Sequence, residues 1–134
     1  MDADVYFPTK ILKRLVDSKK KTAFLIDPRS KSTGEEMMLM AKNGRPLEIS
    51  KKVNPGLKVL GEATGFFKVG KNDAKTLKQC LTVLVRQGQT RVEYEESYSL
   101  LMKKKKAGFV SVGNASWSEM DFEEDLKKIQ TLKE

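Results

Sequence analysis

The chain has 134 residues, 39% hydrophobic and 33% charged, with a formal net charge of +8. That is enough for one domain with a real core, and both signs are too well interspersed for disorder. It has no histidine and one cysteine, which excludes for this chain Ser-His-Asp and Cys-His catalysis, His-relay ribonuclease chemistry, His-containing or all-cysteine zinc sites and an internal disulfide. No apolar run reaches the roughly 18 residues of a membrane span and no signal-peptide core opens the chain, so the expected address is intracellular, in cytoplasm or nucleoid/nucleus.

In chain order, Pro8 and Thr9 open a helix to about Lys20, with Ile11, Leu12, Leu15 and Val16 as its apolar stripe. Residues 22–26 read as a short buried strand ended by the turn Asp27-Pro28-Arg29-Ser30. The next segment has two readings. Thr33 with Glu36 forms a capping box before Met37, Met38, Leu39 and Met40, yet Asn43-Gly44 is also the favoured two-residue hairpin turn. The alternation of Leu47 and Ile49 favours the hairpin, over residues 36–42 and 46–50. The methionines at this spacing are core filler before they are a binding surface.

Residues 51–56, with Asn54-Pro55-Gly56, form an internal joint too short for a domain linker. Two short strands follow, residues 57–60 and 66–69, around Gly61 and Gly65. Asp73 caps a helix to about Gln87 whose inward stripe is Ala74, Leu77, Leu81 and Leu84, with Cys80 beside it as a small buried hydrophobe. Residues 91–95 read as a strand, 97–105 as a helix and 109–113 as a strand. Ser118 with Asp121 then opens a last helix through Phe122, Leu126, Ile129 and Leu132, and Trp117, Leu126, Ile129 and Leu132 dock it on the core. The fold class is α+β: a single small domain of mostly antiparallel sheet with three to four helices, the last one C-terminal.

The charge is segregated. From Ser116 onward three basic residues oppose six acidic ones, whereas the rest carries 23 basic against 12 acidic. The densest run is Lys103, Lys104, Lys105 and Lys106, beside the strand containing Phe109 and Val112. Such a lip fits a polyanion, because releasing condensed counterions favours phosphate binding without base contacts. A merely solvated lysine surface explains the same residues equally well.

Three motif matches are partial. Gly65 to Lys71 fits GxxxxGK, but Asn72 replaces the hydroxyl that binds magnesium and two phenylalanines occupy the loop. Residues 105–112 share Gly108, Phe109 and Val110 with an RNA-binding strand but place Lys106 and Ala107 where a glycine and a stacking aromatic are needed. A winged helix-turn-helix fits the two central helices and a wing strand, but only one helix stands where two should precede the wing. The carboxylates Asp2/Asp4, Glu35/Glu36 and Glu93/Glu95/Glu96 leave metal chemistry open, though nothing in their spacing demands it. The resulting expectation is a non-catalytic, basic nucleic-acid-binding accessory or regulatory protein, without cofactor or metal and not a membrane protein. Its DNA or RNA phosphate contacts would be Lys19, Lys20, Lys21, Arg86, Arg91, Lys103, Lys104, Lys105 and Lys106. The alternative is a protein-binding adaptor or inhibitor using Met37 to Met40 or the acidic C-terminal helix.

Overall fold

A computed structural model of the chain describes residues 2–131. The elements run β1 (Val5–Tyr6), α1 (Thr9–Val16), β2 (Ala23–Asp27), β3 (Met38–Lys42), β4 (Arg45–Ser50), β5 (Lys58–Lys68), α2 (Lys71–Arg86), α3 (Glu95–Lys104), β6 (Gly108–Ser111), β7 (Ser118–Glu119) and α4 (Glu123–Thr131). Five strands form one sheet in the order β4-β3-β5-β2-β6, while β1 and β7 form a separate antiparallel ribbon. Only β6 lies parallel to its neighbour, β2; the other pairs are antiparallel. The expected α+β domain with a C-terminal helix is therefore what forms.

β2 is buried along its whole length because both faces of the sheet are covered there. Alternation sends Ala23 and Leu25 to one face, with Ile11 and Leu15 of α1, Phe66 and Val112. Phe24 and Ile26 go to the other, with Leu39, Ile49 and Met102 of α3. Helix α1 ends at Val16, earlier than expected, where Lys68 Nζ donates to the carbonyls of Val16 (3.2 Å) and Ser18 (2.7 Å). The hairpin of β3 and β4 forms as expected: Asn43 and Gly44 both take positive φ, 50° and 75°. Thr33 and Glu36 do bond as a capping box does, the Thr33 N–H donating to Glu36 Oε2 at 2.7 Å, but within a loop. Met38 and Met40 are core, as expected.

Four expected elements need correction. The two short strands around Gly61 and Gly65 are one eleven-residue strand, β5. Glycine inside it admits close approach: a Cβ at Gly61 would sit 2.5 Å from the Asp27 carbonyl oxygen, and one at Gly65 2.6 Å from Asp2 Oδ2. Helix α2 is capped by Gly70 rather than Asp73, whose carboxylate accepts the Thr22 hydroxyl at 2.6 Å. Leu77, Cys80 and Leu84 point inward, leaving Ala74 and Leu81 exposed. The expected strand over residues 91–95 does not form: residues 91–94 are a loop and Glu95 opens α3. Ser118 belongs to a strand, β7, and α4 starts at Glu123, where the Asp125 carboxylate accepts the Phe122 N–H at 3.0 Å. Phe122 (75% exposed) and Leu126 (51%) do not dock on the core; Leu132 lies outside the described residues. Among those residues no helix is long and apolar enough to cross a membrane.

Candidate functional site

The end of β2 anchors the site. Asp27 accepts both Nε (2.9 Å) and Nη2 (2.6 Å) of Arg29 and the Trp117 indole N–H (2.9 Å). Burial pushes its carboxyl up, but the bonds from Arg29 and Trp117 outweigh that and hold it below the ordinary carboxylate value. Trp117 so tied delivers the chain into β7, which pairs with β1 through Val5↔Glu119 and Tyr6↔Ser118. The Met120 N–H then donates to the Asp4 carbonyl at 2.8 Å. This ribbon brings the two distant acidic segments Asp2/Asp4 and Glu119/Asp121 to one place. Glu62 of β5, the register partner of Asp27, joins them.

Together these segments wall a cleft of about 790 Å³. Its described lining carries nine carboxylates, those of Asp2, Asp4, Glu35, Glu36, Glu62, Glu93, Glu95, Glu119 and Asp121, and a single cation, Lys51. Lys51 stands 3.9 Å from both Glu35 and Glu93, the outer reach of an ion pair. So dense a negative field in a protein of net charge +8 has to show in the titration of its members. Burial, then Glu62, Asp121, Asp4 and Asp2, push Glu119 up to about 7. Burial, with Glu36 and Asp27, also raises Glu62. Burial, with Asp2 and Glu93, raises Glu95. Among the described residues no three acidic side chains form a ready-made cation cage. The cleft therefore offers strong acceptors and a field that attracts cations and repels free phosphate.

The expected phosphate contacts lie elsewhere. Because β2 and β6 are parallel, with Ala23 opposite Gly108, the segments feeding them emerge side by side. Lys19, Lys20 and Lys21 thus do meet Lys103, Lys104, Lys105 and Lys106 at one end of the sheet, and the Lys20 side chain lies over Gly108. Arg86 closes the sixteen-residue α2, about 24 Å from the start of that helix beside Lys21, and Arg91 lies in the loop beyond. None of these nine lines the cleft. The GxxxxGK match lies largely inside β5, so no loop is there to wrap phosphate. The pairs Asp2/Asp4 and Glu35/Glu36 and the acids Glu93 and Glu95 were visible in the sequence as carboxylate candidates; Glu62, Glu119 and Asp121 were not. Their signal was the i, i+2 spacing of Glu119 and Asp121, which sends two extended-chain side chains to one side.

No protein-family model matches the chain, and no curated protein matches it. Solved structures do. The inositol-1-phosphate CTP transferase from T. maritima superposes with a TM-score of 0.64 at 17% identity, over 95% of this chain and 51% of that one. A Bacillus anthracis protein assigned as a glucose-1-phosphate thymidylyltransferase, solved in complex with a sucrose, gives 0.64 at 14% identity, over 94% of this chain and 50% of that one. The chain thus spans about half the length of these structures, and at such identity the likeness is one of fold. It overturns the expectation of a non-catalytic nucleic-acid-binding regulator: the fold is shared with nucleotidyltransferases. The densest charge in the sequence lies outside this cleft.

Proposed function

We propose that the chain forms the acidic half of a nucleotidyltransferase. Such an enzyme lets a phosphate oxygen of an acceptor attack the α-phosphorus of a nucleoside triphosphate, breaking the α–β bond and releasing pyrophosphate. One observation carries the reading: in a fold shared with half of two nucleotidyltransferases, a cleft of about 790 Å³ is lined by nine carboxylates. Half a fold also accounts for the open edge of β5. Beyond Ala63, that edge receives one backbone bond among the described residues, from the Asp2 N–H to the Gly65 carbonyl (3.1 Å), so a further strand has room to pair there.

An all-acidic cleft repels polyphosphate unless a divalent cation comes with it. Magnesium fits the residues present, since it takes one or two carboxylates and completes its shell with water and substrate phosphate, needing no preformed cage. Asp4 and Asp121, joined through the β1·β7 ribbon, are the carboxylates that would hold it; when bound, the ion neutralises phosphate charge. Glu62 and Glu119, with raised affinity for protons, accept hydrogen bonds from the acceptor and exclude competing anions. An intracellular address goes with this reading. In the natural polypeptide that carries this sequence, pyrophosphate should be released from CTP or dTTP with magnesium, in step with added phosphorylated acceptor, and Asp121→Asn should abolish it. Release by none of a panel of phosphorylated sugars, polyols and amino alcohols contradicts the proposal.

A further inference from the structure

The wall of the cleft formed by the start of α3 is chemically unlike the rest. Glu95 is only 9% exposed, and its Oε2 has no hydrogen-bond partner among the described residues. A buried orphan acceptor is uncommon enough to need a cause. The neighbouring Tyr94 hydroxyl also approaches the Glu95 carboxylate, but its single proton lies toward Asp2, 2.6 and 2.8 Å from the two carboxylate oxygens, and Oε2 stays unbonded. Asp2 and Glu93 add their charges to the same wall, and burial with Glu95 and Asp2 pushes the Tyr98 hydroxyl up to about 12. Beside these acids stands a chain of aromatic rings: Tyr94 edge-on to Tyr98 at 5.6 Å, Tyr98 against Phe67 at 4.5 Å, and Phe67 stacked on Phe24 at 4.5 Å.

A sugar or polyol hydroxyl would satisfy the orphan oxygen, and a sugar's C–H face can lie on a ring, but a neutral ligand leaves the negative field unused. A quaternary ammonium would use the field and the rings but has no N–H for Oε2. A protonated primary amine uses all three. We infer that the wall of Glu95, Asp2, Glu93, Tyr94, Tyr98 and Phe67 binds a primary ammonium group, making the acceptor a phosphate ester of an amino alcohol. The phosphate part of this inference rests on the transferase reading; the ammonium site rests on the wall alone.

Calorimetric titration of the chain with ethanolamine and with O-phosphoethanolamine, against choline and the neutral diol ethylene glycol, tests it. Saturable binding is expected for ethanolamine, weaker for choline, absent for the diol, and about tenfold weaker in Glu95→Gln. Should that variant not fold by circular dichroism, Glu93→Gln and Tyr98→Leu make the same comparison. Ethanolamine binding that is absent, equalled by the diol or indifferent to these substitutions overturns the inference. Pyrophosphate release with glucose 1-phosphate but not with O-phosphoethanolamine overturns it while leaving the transferase reading intact. Amine binding without pyrophosphate release from any acceptor does the reverse.

Discussion

Helix α3 joins two regions that handle charge in opposite ways. Its first residue, Glu95, is buried in the acidic cleft, and its last, Lys103 and Lys104, are exposed beside Lys105 and Lys106. At the basic end the charges are dense in sequence and free in water, where each is solvated at little cost. In the cleft they are scattered over 120 positions, from Asp2 to Asp121, and forced together by the fold. The second arrangement raises affinities for protons and leaves a buried oxygen unbonded. Functional charge is recognised by what it costs the fold, and sequence density does not measure that cost.

The sharpest contrast lies within the acids, because Asp27 is held by both Arg29 and Trp117 whereas Glu119 stands among other carboxylates. Asp27→Ala takes an acceptor from Trp117 and from Arg29, which keeps the Ala115 carbonyl, and should cost about 2–3 kcal/mol, Arg29 being half in water. Urea unfolding measures it, and a loss near zero would break the distinction between anchored and unanchored carboxylates. The pH sign follows: with its affinity for protons lowered by folding, Asp27 contributes above the ordinary carboxylate value, and that contribution is lost as acid protonates it.

Glu119 should behave in the opposite sense. Folding raises its titration from 4.5 to about 7, so the folded state holds the proton longer and stability falls as pH rises through that window. Glu119→Gln, which mimics the protonated form, should gain about 1 kcal/mol at pH 8 after solvent screening and nearly nothing at pH 4.5. Thermal melts at both pH values read the difference, and equal gains would locate the effect in packing instead of charge. The smallest effect belongs to the basic end: replacing Lys103, Lys104, Lys105 and Lys106 together by Gln should move the melting temperature by no more than roughly 2 °C. A larger shift would mean that the lysines are structurally engaged.

What was legible in the sequence was local. β2, the Asn43-Gly44 hairpin and α3 follow from apolar runs, turn chemistry and helical spacing, and their neighbours in space do not override them. β5 was not legible, because Gly61 and Gly65 read as breaks when they are places where Asp27 and Asp2 press against the strand. The phase of α2 was not legible because its inward face is the one packed against α3, and that contact is tertiary. The cleft was half legible: the acidic pairs stood in the sequence, but their convergence depends on the β1·β7 ribbon, whose strands are two residues each. No periodicity announces so short a pairing across more than a hundred residues.

The central claim is that the acidic cleft, not the lysine-rich end, takes the ligand, and that it does so as a cation site. Paramagnetic titration of the chain with manganese(II) tests this most directly. The account predicts saturable binding that is lost in Asp121→Asn and unchanged when Lys103, Lys104, Lys105 and Lys106 are all replaced by Gln. Binding that never saturates, or that survives Asp121→Asn unaltered, would contradict it.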